Sequence, residues 1–133
     1  MAPVIGIDHV VINATNLEAT CAFYDRLFGI TTHAEYAKDG KVLVRQVAIG
    51  GALLSIHQQG NGVELVAKHP TVGGGDICFR WDGDIQGAID LLKRNGVAII
   101  AGPARRRTAD GKPSKSVYFR DLDDNLLELM AAD

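Results

Sequence analysis

Three ionisable side chains interrupt segments of the chain that are otherwise apolar. Side chains alternate across a strand, so His9 shares a face with Ile7 and Val11. Asp76 and Glu128 stand in two further segments of the same kind. An ionisable group on a buried strand face is costly unless it is paired, hydrogen-bonded or bound to a metal. Imidazole and carboxylate together suit Zn, Fe, Mn, Ni or Co, so these residues are candidate ligands of a divalent metal ion.

Each of these residues also has a plain structural explanation. Alone, His9 would be a hydrogen-bonded core histidine and Glu128 a strand-edge carboxylate facing water. His57 lies two residues beyond Ser55 on one strand face, where it can be a metal ligand, an acid or base, or a substrate contact. The remaining histidines are expected to be exposed and receive no role; they are His33 and His69.

The first half of the chain predicts one helix among four strands. A strand over residues 5–13 precedes a helix over 17–28, which Asn16 or Thr15 can cap and Gly29 can end. Turn signals then separate three strand-like runs, which are Thr31–Lys38, Lys41–Ile49 and Ala52–Gln59.

The second half repeats the same order. Residues 61–75, with Gly73–Gly75, form the connection. The pattern after it predicts a strand over 76–81 and a helix over 84–95 closed by Gly96. The other predicted strands are Val97–Ala101, Ser114–Arg120 and Asn125–Met130.

A shift of 67 residues places His9 on Asp76 and Gly29 on Gly96. In the last strand of each half, residues 53–57 match 126–130 at a shift of 73, and the extra length falls in a polar loop, 103–113. We therefore predict an α+β fold of two βαβββ modules, residues 4–60 and 74–132, within a single domain. The repeat puts the three candidate ligands at equivalent strand positions, so they can converge on one face. It aligns Ser55, not His57, with Glu128.

Composition narrows the partners of the protein. The 133 residues carry 14 basic and 16 acidic side chains, a formal charge of −2, which lacks the positive excess of a nucleic-acid-binding protein. No segment reaches the about 18 apolar residues of a membrane helix, and Met1–Gly6 has no leader-like pattern. Cys21 and Cys78 are expected to be reduced core thiols. We expect a cytoplasmic protein with neither nucleic acid nor membrane as a partner.

A run of three arginines, Arg105–Arg107, stands in the predicted 103–113 loop. A solvated surface loop explains it simply, because charge runs in loops mainly serve solubility. The alternative is a mobile flap that attracts an anionic substrate.

Three longer motifs carry a resemblance to a known family. The motifs are Ile7-Asp8-His9-Val10-Val11-Ile12, Phe23-Tyr24 with Leu27-Phe28-Gly29, and the segment from Tyr118 to Leu129. With them the chain resembles the glyoxalase/bleomycin-resistance/dioxygenase family of the vicinal oxygen chelate superfamily, and above all its small single-domain glyoxalase-like members, over nearly its whole length. Near the end, Leu122 and Asp124 replace a proline and a glycine of the family pattern.

The resemblance implies that the two modules form a curved mixed sheet around a cavity, with the helices outside. It also implies a metal site with ligands from the first and last strands of the modules, here His9, Asp76 and Glu128. Asp76 stands where histidine is usual, and Ser55 stands where the first module would have glutamate. His57 is the candidate that can replace a missing ligand.

Three functions are compatible with this resemblance. The first is a glyoxalase-like metal-dependent enzyme, similar to a lactoylglutathione lyase, in which the ion binds vicinal oxygens and stabilises an enolate while Glu128 or His57 moves the proton. The second is an extradiol ring-cleaving dioxygenase, and the third is a non-catalytic binding or resistance protein. In each the partner is a small molecule, contacted by Ser55, Cys78 and Met130. A homodimer is expected.

Overall fold

The structure, a computed structural model, describes residues 3–133 and contains eight strands and two helices. Met1 and Ala2, on which the leader expectation partly rests, lie outside the described residues. In chain order the elements are β1 His9–Ala14, α1 Leu17–Phe28, β2 Thr31–Lys38, β3 Lys41–Ile49, β4 Ala52–Gln58, β5 Asp76–Trp81, α2 Ile85–Arg94, β6 Ala101–Arg107, β7 Pro113–Arg120 and β8 Leu126–Ala132.

The chain divides into two compact units with the same topology. The first extends to Val72 and the second runs from Gly73 to Asp133. The strand orders are β1-β4-β3-β2 and β5-β8-β7-β6. The first pair in each order is parallel (β1 with β4, β5 with β8), and the other pairs are antiparallel. The predicted α+β fold of two βαβββ modules is confirmed.

Local signals in the sequence set the helix ends. The Asn16 side chain accepts a hydrogen bond from the Ala19 N–H at 3.0 Å, and Gly29 ends α1 with φ of 63°. Asp84 caps α2 through the Gln86 N–H at 2.8 Å. The predicted helix over 17–28 is therefore confirmed, with Asn16 rather than Thr15 as its cap.

One face of each sheet is covered by the helix of its own unit. In β8, Leu127, Leu129 and Ala131 are buried, whereas the alternate residues Glu128 and Met130 are half-buried. Helix α2 contacts β7 and β8, and α1 contacts β3 and β4. The candidate residues therefore lie on the sheet face opposite the helix.

Two predicted strands need correction. The strand expected over residues 5–13 begins only at His9, which pairs with Leu53 near the start of β4, so the residues before it have no partner strand. The strand expected over Val97–Ala101 is wrong, because β6 runs from Ala101 to Arg107. It is the edge strand of its sheet, and an edge strand needs little apolar surface.

A buried carboxamide joins the two parallel strands of the second unit. Asn125, 1% exposed, accepts from the Gly75 N–H at 2.7 Å and donates to Asp121 Oδ2 at 2.8 Å. Asp121 Oδ1 accepts from the backbone N–H groups of Asp123 and Asn125, both at 3.0 Å. This network holds Gly75, just before β5, next to Asn125, just before β8.

We predict that Asn125→Ala lowers the free energy of unfolding by about 2–3 kcal/mol, since it removes the hydrogen bonds to the half-buried Gly75 N–H and to the buried Asp121 carboxylate. Chemical denaturation monitored by circular dichroism measures the loss. Leu122→Ala is the matched control in the same turn, because Leu122 is 57% exposed, and should stay within about 0.5 kcal/mol of the parent. Equal losses in both variants would contradict the role given to the carboxamide.

Candidate functional site

Three candidate residues share the open face of the first sheet. Strand β1 runs parallel to β4 with Val11 beside Ser55 and Asn13 beside His57. Because residues two apart point to the same side, His9, Ser55 and His57 lie on one face. Ser55 is buried, His57 is half-buried and the His9 side chain is 42% exposed.

His9 is held by the neighbouring carboxylate. Its Nδ1 lies 2.7 Å from Asp8 Oδ1, and a carboxylate can only accept a hydrogen bond. The proton of a neutral His9 is therefore on Nδ1, which leaves the Nε2 lone pair available. A carboxylate on the far nitrogen is the usual support of a metal-binding imidazole.

His57 is held in the opposite way, by the side chain of Asn61. The Val63 N–H donates to Asn61 Oδ1 at 2.9 Å, which fixes the orientation of the carboxamide. Its Nδ2 then lies 3.3 Å from His57 Nδ1 and 3.5 Å from the Leu43 carbonyl. Since Nδ2 can only donate, His57 Nδ1 accepts, and the proton of the neutral ring is on Nε2.

The surroundings of His57 keep its ring neutral. Burial lowers the pKa of His57, and the nearby His9 lowers it further. A neutral His57 is thus a hydrogen-bond donor through Nε2, whereas the neutral form of His9 has a lone pair on that nitrogen.

A cavity of about 470 Å³ opens beside His57. Tyr36, Val44 and His57 form one row across β2, β3 and β4 by strand register. The remaining lining residues are Lys38, Asn61, Gly62 and Val63. A larger cavity of about 550 Å³ lies at the start of α2 in the second unit, and its lining includes none of the predicted site residues.

Four candidate residues share the open face of the second sheet. Cys78 and Tyr118 flank Glu128 in register, Asp76 pairs with Leu126, and Met130 follows two residues later. The Glu128 Oε2 atom is buried and has no hydrogen-bond partner among residues 3–133. A buried carboxylate oxygen of this kind is costly unless a cation or a ligand donor meets it.

The Cys78 thiol responds to this carboxylate. Cys78 is exposed as a whole residue, but partial desolvation of its thiol by the surrounding groups raises its pKa to about 11, and the charge and hydrogen bond of Glu128 contribute to the rise. The expected core position is correct for Cys21, which is buried, and wrong for Cys78, which is exposed on the open sheet face.

The candidates are thus brought together in two sets, one on each sheet. Within the part of the chain that the structure describes, no group of three or more His, Cys, Asp and Glu side chains is placed to hold a metal ion. Across the same residues, no helix is long and apolar enough to cross a membrane.

The three arginines lie in strand β6 and not in the predicted loop. Arg105 pairs with Asp133 at 2.7 Å, Arg106 Nε donates to the Tyr118 hydroxyl at 2.7 Å, and Arg107 donates to the Gly111 carbonyl at 2.8 Å. The expectation of a loop over these residues is wrong. Arginine on an edge strand discourages pairing with another chain, which accounts for the run without a flap.

Sequence reasoning did not find Asn61, Tyr36 or Lys38. Asn61 fell in the segment read as a connection, although it stands four residues after His57 between Gly60 and Gly62. Both glycines have a positive φ, 69° and 78°, which lets the chain turn back toward β4. An asparagine within such a turn, close to a strand histidine, was the available signal.

Comparison with known proteins settles the family. The profile of the Glyoxalase/Bleomycin resistance protein/Dioxygenase superfamily matches residues 6–129. The chain belongs to this superfamily. The resemblance drawn from the sequence motifs is therefore confirmed.

Individual members of the superfamily match over most of the chain. Virulence protein STM3117 of Salmonella typhimurium is 31% identical over 123 residues, which are 92% of this chain and 81% of that protein. The metallothiol transferase FosB of Staphylococcus epidermidis is 29% identical over 125 residues, 93% and 81% of the two chains. The solved structure of integron cassette protein VCH_CASS1 from Vibrio cholerae, 29% identical, superposes with a TM-score of 0.87 and covers 100% of this chain and 99% of its own. Members of the superfamily are commonly metalloenzymes.

We predict that Glu128→Gln speeds the alkylation of Cys78 by iodoacetamide at mildly alkaline pH by about three- to tenfold. Removing the Glu128 charge lowers the pKa of the thiol and raises its thiolate fraction. Peptide mass spectrometry of chelator-treated protein reads Cys78 separately from Cys21. Asp133→Asn is the control, and an unchanged rate in Glu128→Gln would show that the carboxylate does not act on the thiol.

Proposed function

We propose that this protein is a glyoxalase-like metal-dependent enzyme. A divalent ion would bind vicinal oxygens of a small substrate whose reaction passes through an enolate. The observation that carries the proposal is the Oε2 of Glu128, which is buried without a hydrogen-bond partner among residues 3–133 and is costly to bury unless a cation or a ligand donor meets it. His9 supports it, because Asp8 leaves its Nε2 lone pair available.

The donor chemistry fits such an ion. His9, Asp76 and Glu128 supply one imidazole and two carboxylates, a set suited to Zn, Ni, Fe, Mn or Co. Neither unit contains all three residues.

His57 is left out of this proposed ligand set. Its Nδ1 accepts from Asn61 and its Nε2 carries the proton, so a neutral His57 has no lone pair to offer without losing the Asn61 bond. It acts instead as a hydrogen-bond donor to a substrate oxygen. Ser55, Cys78 and Met130 remain proposed substrate contacts on the same sheet faces.

The chemistry divides between the ion and the chain. When bound, a divalent ion supplies a Lewis acid that stabilises negative charge on substrate oxygens. The Glu128 carboxylate would take the proton from substrate carbon on one oxygen, leave the other for the ion, and return the proton to the adjacent carbon, while His57 Nε2–H donates to another oxygen of the substrate.

The hydrogen bonds of His57 favour this reaction over ring cleavage of a catechol. An extradiol dioxygenase needs two histidines and one carboxylate on Fe(II), and here the second histidine would have to be His57. Isomerisation of a thiohemiacetal with Ni(II) or Zn(II), measured against catechol-dependent oxygen uptake with Fe(II), separates the two. Oxygen uptake without isomerisation would reverse the preference.

We predict that purified protein contains a stoichiometric divalent metal and that His9→Ala and Glu128→Ala lose it. Elemental mass spectrometry measures the metal per chain. His33→Ala is the control, since His33 is an exposed histidine of β2 outside the proposed ligand set. Asp8→Asn should weaken binding about tenfold, because it removes the support of the His9 ring.

Absence of metal, even after incubation with Fe, Ni, Zn or Mn, would reject the metal-dependent enzyme. The function supported best would then be a small-molecule binding or resistance protein, in which His9 and Glu128 are hydrogen-bonding groups.

We further predict a homodimer of two 14.2 kDa chains. Val4, Ile5 and Ile7 are 79%, 103% and 84% exposed, and Val10 in the edge strand β1 is 45% exposed. So much exposed apolar surface at and before β1, which ends the strand order of the first sheet, favours association with a second copy. Sedimentation analysis measures the mass in solution. Ile7→Lys should shift the protein toward monomer. Leu65→Lys is the control at another exposed apolar residue and should leave the mass unchanged. A wild-type monomer would contradict the prediction.

A further inference from the structure

The cavity beside His57 contains one hydrogen-bond donor, the Nε2–H of His57, whose position is set by the hydrogen bonds of Asn61. Asn61 occupies Nδ1 of His57, so the nitrogen left for a ligand is Nε2 with its proton. The carboxamide cannot rotate to reverse this pattern, because Oδ1 already accepts from the Val63 N–H at 2.9 Å. The ring is thus preorganised to donate before any ligand arrives.

The other groups around the cavity suit a negatively charged ligand with an apolar body. Lys38 brings a positive charge and Tyr36 a phenol ring and hydroxyl, while Val44 and Val63 provide apolar walls. None of the seven described residues that line the cavity is acidic. An anion placed there meets one fixed neutral donor and one cation, and no carboxylate among those residues repels it.

We propose that this cavity binds the anionic group of the substrate, a carboxylate or phosphate carried on a small apolar body, through His57 Nε2–H and Lys38. The inference deepens the proposed function by naming a substrate class, and its catalytic meaning rests on that function. Binding of the anion itself requires no metal, so the two proposals can fail separately. Asn61 is a positioning residue, because it acts through the His57 ring.

The first arm of the test uses chelator-treated wild-type protein. Benzoate and phenyl phosphate are titrated against it with benzyl alcohol as the uncharged probe, and nuclear magnetic resonance follows His57, Asn61 and Tyr36. The expected result is that at least one anion shifts these signals and binds about tenfold more tightly than the alcohol. The stronger of the two anions identifies the source of the charge as carboxylate or phosphate.

The second arm reads the tautomer of His57 directly. Long-range proton–nitrogen correlation should show a protonated Nε2 and an unprotonated Nδ1 in the wild type. In Asn61→Asp the new carboxylate only accepts, so the proton should move to Nδ1. A purely structural role of Asn61 would leave the tautomer unchanged.

The third arm uses matched variants. His57→Gln keeps an N–H donor on the side chain and should retain most of the preference for the anion over benzyl alcohol. His57→Phe has no donor and should lose that preference, which is about tenfold in the wild type. Lys38→Gln should lower the affinity for the anion about two- to fivefold and reduce the dependence of that affinity on salt. Lys68→Gln is the control, because Lys68 is an exposed lysine in a loop.

Two outcomes would overturn the proposal, and neither depends on the folding of a variant. One is an unprotonated Nε2 in the wild type. The other is equal binding of benzyl alcohol and both anions, or no shift of the cavity residues by any of them. Absence of metal from the wild type, with intact anion binding, would instead reject only the proposed metal-dependent function.

Discussion

The buried carboxamide of Asn125 is the interaction on which the second unit depends. It links the backbone just before β5 to the turn just before β8, and so sets where the two parallel strands start relative to each other. A slip of one residue would turn Glu128 from the open face to the helix face, because side chains alternate. The replaced residues of this turn, Leu122 and Asp124, do not disturb it, since Asp124 adopts the positive φ of 66° that glycine usually provides. The turn differs from the family pattern in its residues and keeps its function in the fold.

Two histidines on one sheet face show how a neighbouring side chain decides what an imidazole can do. Asp8 accepts from His9 and leaves a lone pair, whereas Asn61 donates to His57 and leaves a proton. The strand places both rings, but the difference between a carboxylate and a carboxamide assigns their roles. A count of histidines on the face would have treated them as equivalent ligands.

Much of the fold follows from local rules in the sequence. Alternation predicted β2 to β5, and Asn16 with Gly29 predicted α1, because these signals act over a few residues. The strand β6 was missed because its arginines lie at a sheet edge, where burial does not select apolar residues. The candidate site was predicted as far as which residues share a strand face. The hydrogen bonds of His57 were not, since they depend on how a turn folds back from Gly60 to Val63.

The dipeptide Asn61-Gly62 makes the cavity sensitive to deamidation. Asparagine is among the thermolabile residues, and a following glycine leaves its carboxamide sterically accessible to attack by the backbone. Loss of ammonia followed by hydrolysis would turn the group of residue 61 that donates to His57 into a carboxylate that only accepts, and the proton of the ring would move from Nε2 to Nδ1. Aged protein would then carry an added negative charge at residue 61 and a His57 ring whose proton lies on the nitrogen facing away from the ligand.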